Sequence, residues 1–362
     1  MAEQYGNETP EEFSSRIFSI VSGGLTGLSI ALGVKSGLFD VLVSHHGSPL
    51  TSQELADLAG MKERYVREWL ATMVTAHIVD VDESSEKYHV PSSRLESLQP
   101  GTLLGQSASL SIGIPMFSSV FSDMLEILKK DGPRGHELST IEPFHEFDKQ
   151  YGSAWYNHCF IQEFIPSHPE IEAKLESGIR MMDVGCGAGI ATRLLAQKFP
   201  KSQFVGIDIG QTNVDTAKEE ASHLGLKNVS YHCVDASAMP SDWEATFDYI
   251  FIFNVLHDIP RPDLVIDDVK RVMKRDGLLS VIELNFKSKV AENVGNAAAA
   301  MVSTISTFYC LPQAYLPQDT YGLGTVWGKD RIEEFLLGKG LVVKSASEVP
   351  KINEFHFLCN LS

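Results

Sequence analysis

The chain is short of cysteine and of positive charge. Its five cysteines, Cys159, Cys186, Cys233, Cys310 and Cys359, are scattered over 362 residues, and no two form a CxxC pair. That pattern excludes a disulfide framework and a zinc site recognisable by spacing, and it fits reduced intracellular thiols. Lys and Arg number 30 against 47 Asp and Glu, a formal net charge of −17. Nucleic acid or an anionic membrane needs clustered basic surface, so neither is expected as a partner. The N-terminus lacks a basic segment followed by an apolar one and carries Glu3, Glu8, Glu11 and Glu12 instead, so no signal peptide is expected. Apolar runs are interrupted by Gly, Ser or charge, which predicts no membrane-spanning helix and a cytoplasmic protein. No internal repeat or low-complexity tract is present.

What is there begins with Asp183-Val184-Gly185-Cys186-Gly187-Ala188-Gly189. The apolar run 179–184 predicts a buried strand, and Leu194, Leu195 and Phe199 predict a helix after the glycines. Strand, glycine turn and helix open a nucleotide-binding α/β unit. Glycine tolerates positive φ and lets a ligand approach the backbone. A dinucleotide fingerprint would place its third glycine at Ile190, one position later, which counts against a nicotinamide cofactor.

Further strands are predicted at 204–207 ending on Asp208, at 229–234 ending before Asp235-Ala236, at 247–253 ending at Asn254, and at 277–283. Strands alternating with helices imply an α/β fold with a mostly parallel sheet and ligands at the strands' carboxyl ends. Residues 336–343 and 355–359 complete it as helix turn, strand and edge strand, and 286–325 form an insertion.

Ahead of this domain, residues 1–12 are expected to be a disordered tail, and 13–42 to be helices packed through small residues. Thr51 or Ser52 caps a helix ended by Gly60, and 62–74 form the next. Two short strands, 78–81 and 87–90, then flank a polar turn. Helix, turn, helix and hairpin is a winged-helix pattern over roughly 25–98, within an expected domain of 13–100. Such a unit either binds DNA or serves as a scaffold for dimerisation or for covering an active site. Acidic Glu63, Glu68, Asp80, Asp82, Glu83 and Glu86 would face phosphates, which argues for the scaffold. Residues 101–178 predict a helical linker and lid dense in Phe144, Phe147, Tyr151, Trp155, Tyr156, Phe160 and Phe164, serving as core or as an acceptor wall that also suits a sulfonium cation.

The Asp183-to-Gly189 loop, Asp208, Asp235 and the Asn254-to-Asp258 segment resemble the successive motifs of class I S-adenosylmethionine-dependent methyltransferases, over about half the chain. The winged-helix front and lid insertion resemble plant-type small-molecule O-methyltransferases, and more closely a bacterial and invertebrate winged-helix group. The resemblance implies a Rossmann-like, seven-stranded, mostly parallel domain over 179–362 that binds S-adenosylmethionine. It implies cofactor contacts from Asp183, Gly185, Gly187, Gly189, Asp208, Ile209, Asp235, Ala236 and Asn254. It implies a His257-Asp258 pair that supplies the base, although Ile259-Pro260 follows where the plant pattern has Trp. Trp155, Tyr156, Phe160, Tyr309 and Trp327 are expected at the acceptor pocket, and no metal is expected. The expected partners are a small-molecule methyl acceptor at oxygen, sulfur or nitrogen and a second copy of the chain. Two other readings stand beside it: a winged-helix regulator that senses the cofactor, and a non-catalytic cofactor-binding subunit.

Overall fold

Thr9 starts the first helix. Its hydroxyl accepts from the Glu12 N–H while the Glu12 carboxylate accepts from the Thr9 N–H, a reciprocal cap that orders helix α1, Pro10–Lys35. Residues 9–12, expected within a disordered tail, are therefore ordered as the cap and first turn of this helix. The computed structural model describes residues 8–137 and 153–362, so residues 1–7 and Phe144, Phe147 and Tyr151 lie outside the described residues.

α1 also departs from the sequence reading in a second way. It is one continuous helix, and by length and composition it is long and apolar enough to cross a membrane, with mean hydropathy 1.8 over an 18-residue window. Phe18, Ile20, Val21 and Leu25 are all more than half exposed. Its last turns are packed: Ala31 and Gly33 are buried, and the Trp69 indole N–H donates to the Ser29 carbonyl at 2.9 Å. A Cβ on Gly33 would lie 2.5 Å from the Trp69 ring, so this glycine permits the approach.

Contacts divide the described chain into two units, one of residues up to Ser119 and one that takes in Val120 and the chain from Trp155 to Ser362. The expected linker of 101–178 is thus split, its first part belonging to the N-terminal unit. That unit holds α2 (Leu38–Ser44), α3 (Ser52–Ala59) and α4 (Glu63–Thr75). Strands β1 (Leu50–Thr51), β2 (Asp80–Val81) and β3 (Lys87–His89) pair in the order β1-β3-β2. Thr51 caps α3 and Gly60 ends it at φ 67°. Phe39, Leu42, Leu55, Leu70 and Met73 form its core. The winged-helix expectation holds.

The second unit is organised by a seven-stranded sheet. Its strands are β4 (Arg180–Val184), β5 (Gln203–Asp208), β6 (Val229–Cys233), β7 (Phe247–Phe253), β8 (Met273–Leu284), β9 (Leu341–Glu348) and β10 (Glu354–Leu361). The order is β6-β5-β4-β7-β8-β10-β9, parallel from β6 to β8, with β10 antiparallel to both its neighbours. The last strand is therefore not the edge strand expected from sequence. β10 lies inside, with Phe357 and Cys359 fully buried, and β9 is the edge, largely exposed along its length. An apolar strand without alternation is covered on both faces, which an edge does not need.

Between the strands run α5 (Pro169–Ser177), α6 (Ile190–Lys198), α7 (Gln211–His223), α8 (Pro262–Val272), α9 (Ala297–Ile305) and α10 (Lys329–Gly338). α8 shows why: Val265, Ile266, Val269 and Val272 recur at helical spacing and all are buried in the sheet's core. A π-helical stretch, Tyr156–Phe164, lays Phe160 and Phe164 against Phe251, and Trp155 stacks on Phe253 at 5.3 Å between ring centroids.

Candidate active site

The carboxyl ends of β4, β5, β6, β7 and β8 carry most of the polar residues singled out in the sequence. After β4 the chain turns through Gly185 (φ 71°), Gly187 (φ 52°) and Gly189 (φ 72°), all in the left-handed region. A Cβ on Gly185 would meet Val255 at 2.5 Å, and one on Gly189 would meet the Tyr231 ring at 2.6 Å. One on Gly187 would meet nothing within 4 Å. Two glycines thus serve the fold, and the third keeps space open above the turn. The turn is pinned by Gly185 and Cys186 N–H groups donating to the Ile207 carbonyl.

Asp208, at the tip of β5, accepts from the Gly187 N–H at 2.9 Å through one oxygen and from the Gly210 N–H at 2.8 Å through the other. Its carboxylate braces the glycine turn; Oδ1 also accepts from the Asn213 side-chain amide at 3.2 Å, and Oδ2 keeps a second lone pair. Ile209 beside it is 75% exposed. Asp235, past β6, accepts from the N–H and hydroxyl of Ser237 and faces solvent, with Ala236 next to it. Asp183 is buried, and burial followed by the Asp208 charge raises its pKa to about 8. Asn254, just past β7, holds φ at 52°, a conformation uncommon for a non-glycine residue.

These residues fit S-adenosylmethionine. Gly187 leaves the backbone approachable, Asp208 stands at the strand tip where ribose hydroxyls would bond, and Asp183 and the Asn254 amide oxygen are buried polar groups at the same sheet end. When bound, the cofactor supplies an electrophilic methyl group on a sulfonium.

His257 follows on the segment after β7 and is nearly out of solvent. Its Nδ1 lies 2.5 Å from Glu283 Oε2, at the end of β8, and its Nε2 lies 3.3 Å from Asp258 Oδ1. Glu283 Oε1 accepts from the Leu256 N–H at 2.8 Å, so the carboxylate is anchored at both oxygens. Burial by itself would lower the His257 pKa; the carboxylates of Asp258 and Glu283 and the contact with Cys310 outweigh it and hold the ring well above the ordinary histidine range. Burial pushes the Asp258 carboxyl up against the opposing pull of His257, and pushes the Cys310 thiol to about 12. Ligand-type atoms of His257, Asp258 and Cys310 lie within 4.8 Å of one another. The scattered sequence spacing gave no sign of this grouping.

The expected aromatic pocket is placed differently. Trp155 and Phe160 are completely buried against Phe251 and Phe253, and the Trp155 indole donates to the Pro350 carbonyl. Trp327 packs edge-on against Phe335 in the sheet core, and Tyr309 is buried. Trp155, Phe160 and Trp327 are packing residues. Tyr156 alone of the five is partly exposed; its hydroxyl is held neutral by burial and by the nearby charges of Asp183 and Glu354. Glu354 was missed by sequence reasoning. Its only signal is a single carboxylate opening a largely apolar strand, Glu354–Leu361, in which His356 and Asn360 are the other polar residues.

Comparison with known proteins agrees with this geometry. Residues 175–335 match the methyltransferase domain family, and residues 24–99 match the Rv2258c-like winged HTH domain. The ubiquinone biosynthesis O-methyltransferase of Chelativorans sp. is 28% identical over 212 residues, 58% of this chain and 76% of that protein. Other curated relatives of that name are covered over about half their length. A putative O-methyltransferase from Nostoc punctiforme superposes with a TM-score of 0.72 at 17% identity over 95% of this chain and 98% of that one. An O-methyltransferase from neocarzinostatin biosynthesis, solved with S-adenosylmethionine and 2-hydroxy-5-methyl naphthoic acid, gives 0.59 at 14% identity over 93% and 96%. A glycine turn braced by Asp208, a buried histidine at the same sheet end and two matched domains lead to one conclusion: the chain is an S-adenosylmethionine-dependent methyltransferase in which a methyltransferase domain follows an Rv2258c-like winged helix-turn-helix domain.

Proposed function

We propose that the protein methylates a hydroxyl oxygen of a small, largely apolar acceptor and that His257 takes the acceptor's proton. The observation that carries this is the anchored Glu283–His257 pair. Glu283 binds the Nδ1 side, so the nitrogen that takes the proton is Nε2, which the Asp258 carboxylate flanks at 3.3 Å. The carboxylate stabilises the imidazolium formed when Nε2 accepts the hydroxyl proton. The loss of that proton makes the oxygen a better nucleophile for in-line displacement at the methyl group. The chain's other task is to orient the acceptor and keep water out, which the buried surroundings of His257 serve. The naphthoic acid bound by the structural neighbour is a hydroxylated aromatic, which supports the oxygen assignment. The test is transfer of a labelled cofactor methyl group into fractionated small molecules. Label confined to protein or nucleic acid would overturn the substrate class.

The chain is further proposed to be a cytoplasmic homodimer built through α1. Five cysteines free of disulfides support a reducing compartment. The exposed apolar face of α1 includes Gly23 and Gly24, where an added Cβ would meet nothing, so a second α1 can approach closely. Anchorage of the helix's last turns to Trp69 supports a soluble role over a membrane-crossing one. DNA binding is disfavoured by pairing of Arg64 with Glu68 and of Arg67 with Glu63 on α4 itself.

A further inference from the structure

Glu354 and Asn254 present two oxygen atoms that no donor among the described residues satisfies. The Asn254 Nδ2 donates to Glu354 Oε1 at 3.2 Å across β8. A carboxylate accepts from the NH₂ side of an amide, so this bond turns the Asn254 Oδ1 the other way. Asn254 Oδ1 and Glu354 Oε2 are both buried and both lack a partner. Glu354 is only 5% exposed. Burying a carboxylate oxygen without a donor is costly, so each such group calls for an explanation. Asn254 is moreover held in the left-handed region, and uncommon backbone conformations persist where the surroundings impose them, often at ligand sites.

The position of the pair gives its direction. Glu354 pairs in register with Leu284, so it opens β10 at the same sheet end where β7 and β8 finish. That is the ligand-binding edge of a doubly wound sheet. Asn254 stands beside the glycine turn, since β4 and β7 run in register to Val184 and Ile252 and the next residue, Val255, packs against Gly185. The two orphan atoms are acceptors, and one belongs to an acid. Their complement is a group with several hydrogen-bond donors and a positive charge.

We propose that Glu354 Oε2 and Asn254 Oδ1 form a seat for a protonated primary amine. This rests on the methyltransferase reading, which brings ligands to this edge. Such an amine has two sources, the amino group at the amino-acid end of the cofactor or an amine carried by the methyl acceptor. The seat is the same chemistry in both cases: two charge-assisted or neutral N–H···O bonds and one ion pair in a dry site.

Calorimetric binding tests the seat without reference to turnover. The probes are S-adenosylhomocysteine and its analogue lacking the amino group, and then, on protein loaded with S-adenosylhomocysteine, tyramine against 4-ethylphenol. Each is titrated into wild type, Glu354→Gln and Asn254→Gly. Gln keeps the shape and an acceptor for Asn254, and Gly accepts the positive φ while removing Oδ1. If the cofactor's amine is the occupant, removing it costs wild type about tenfold or more in affinity, and both variants lose most of that discrimination. If the acceptor supplies it, the two cofactor analogues compare equally in all three proteins, and tyramine outbinds 4-ethylphenol in wild type alone. Amine discrimination that is absent from wild type, or that survives unchanged in both variants, overturns the seat. Failure of the small-molecule methylation assay with these binding results intact would overturn the reaction and leave the seat standing.

Discussion

His257 Nδ1 and Glu283 Oε2 lie 2.5 Å apart with both side chains almost entirely out of solvent, so one proton is held between an imidazole and a carboxylate in a dry site. Removing the imidazole should show what that pair does. His257→Ala is expected to lower kcat by roughly 10²–10⁴, the span of a positioned general base, with cofactor affinity held near wild type. Single-turnover kinetics beside a cofactor titration checks it. Turnover at the wild-type level would remove the base assignment.

The same pair sets a pH dependence. Because Asp258 and Glu283 raise the His257 pKa against burial, the ring is protonated at neutral pH and the neutral, basic form grows as pH rises. The rate should therefore climb on the alkaline side of an ordinary histidine titration. Glu283→Gln should move that limb to lower pH and reduce the plateau. The stability sign follows from linkage: the contribution is complete below the unfolded value of about 6.5 and is lost as pH rises through the raised folded value. A limb left in place by Glu283→Gln would contradict the coupling.

A second histidine behaves in the opposite sense. His168 Nδ1 donates to the Phe164 carbonyl, which leaves its Nε2 to accept from His356 Nδ1 at 2.9 Å. His356 Nε2 then accepts from Ser280, and Ser280 from the Tyr249 hydroxyl. The terminal carbonyl orders the whole chain of donors, in which the His356 ring is neutral. Burial and then His168 lower the His356 pKa to about 3. Stability from this group is full above the unfolded value near 6.5 and is lost as pH falls toward 3. Denaturant unfolding between those limits should show a steep loss in wild type and a shallower one in His356→Phe. Equal slopes would mean that other groups carry the acid sensitivity.

The glycine turn separates folding from binding. Gly185→Ala drives a methyl group into Val255 and is expected to cost on the order of 1–3 kcal/mol of stability. Gly187→Ala meets no neighbour and carries only the strain of positive φ, so it should reduce cofactor affinity more than the melting temperature. Thermal unfolding with and without S-adenosylhomocysteine distinguishes them. Equal destabilisation with unchanged affinity in both variants would refute the division.

Exposed apolar residues on α1 should govern assembly. Phe18→Glu combined with Leu25→Glu is expected to shift the protein from dimer to monomer by light scattering, with the winged-helix fold retained, since both side chains lie on the exposed face. A wild-type monomer at all concentrations would exclude the proposed interface.

The sequence alone determined what is local. Asp183 to Gly189 specifies a strand, a glycine turn and a helix within a few residues, and the aspartates at strand ends follow by alternation of β and α. The Thr51 cap, the Gly60 stop and the short hairpin specify the winged helix in the same way, because caps and turns are settled by neighbouring residues. Tertiary structure decided whatever depends on pairing across distance. Only the sheet order places β10 inside and β9 at the edge, and only that order sets Glu354 beside Asn254, 100 residues apart. Glu283 reaches His257 because parallel strands end together, a register invisible to composition. Trp155 and Phe160 look the same in sequence whether they line a pocket or fill a core; packing against Phe251 and Phe253 makes them core. Local propensity is written residue by residue, whereas burial and charge coupling arise only when distant strands share one face.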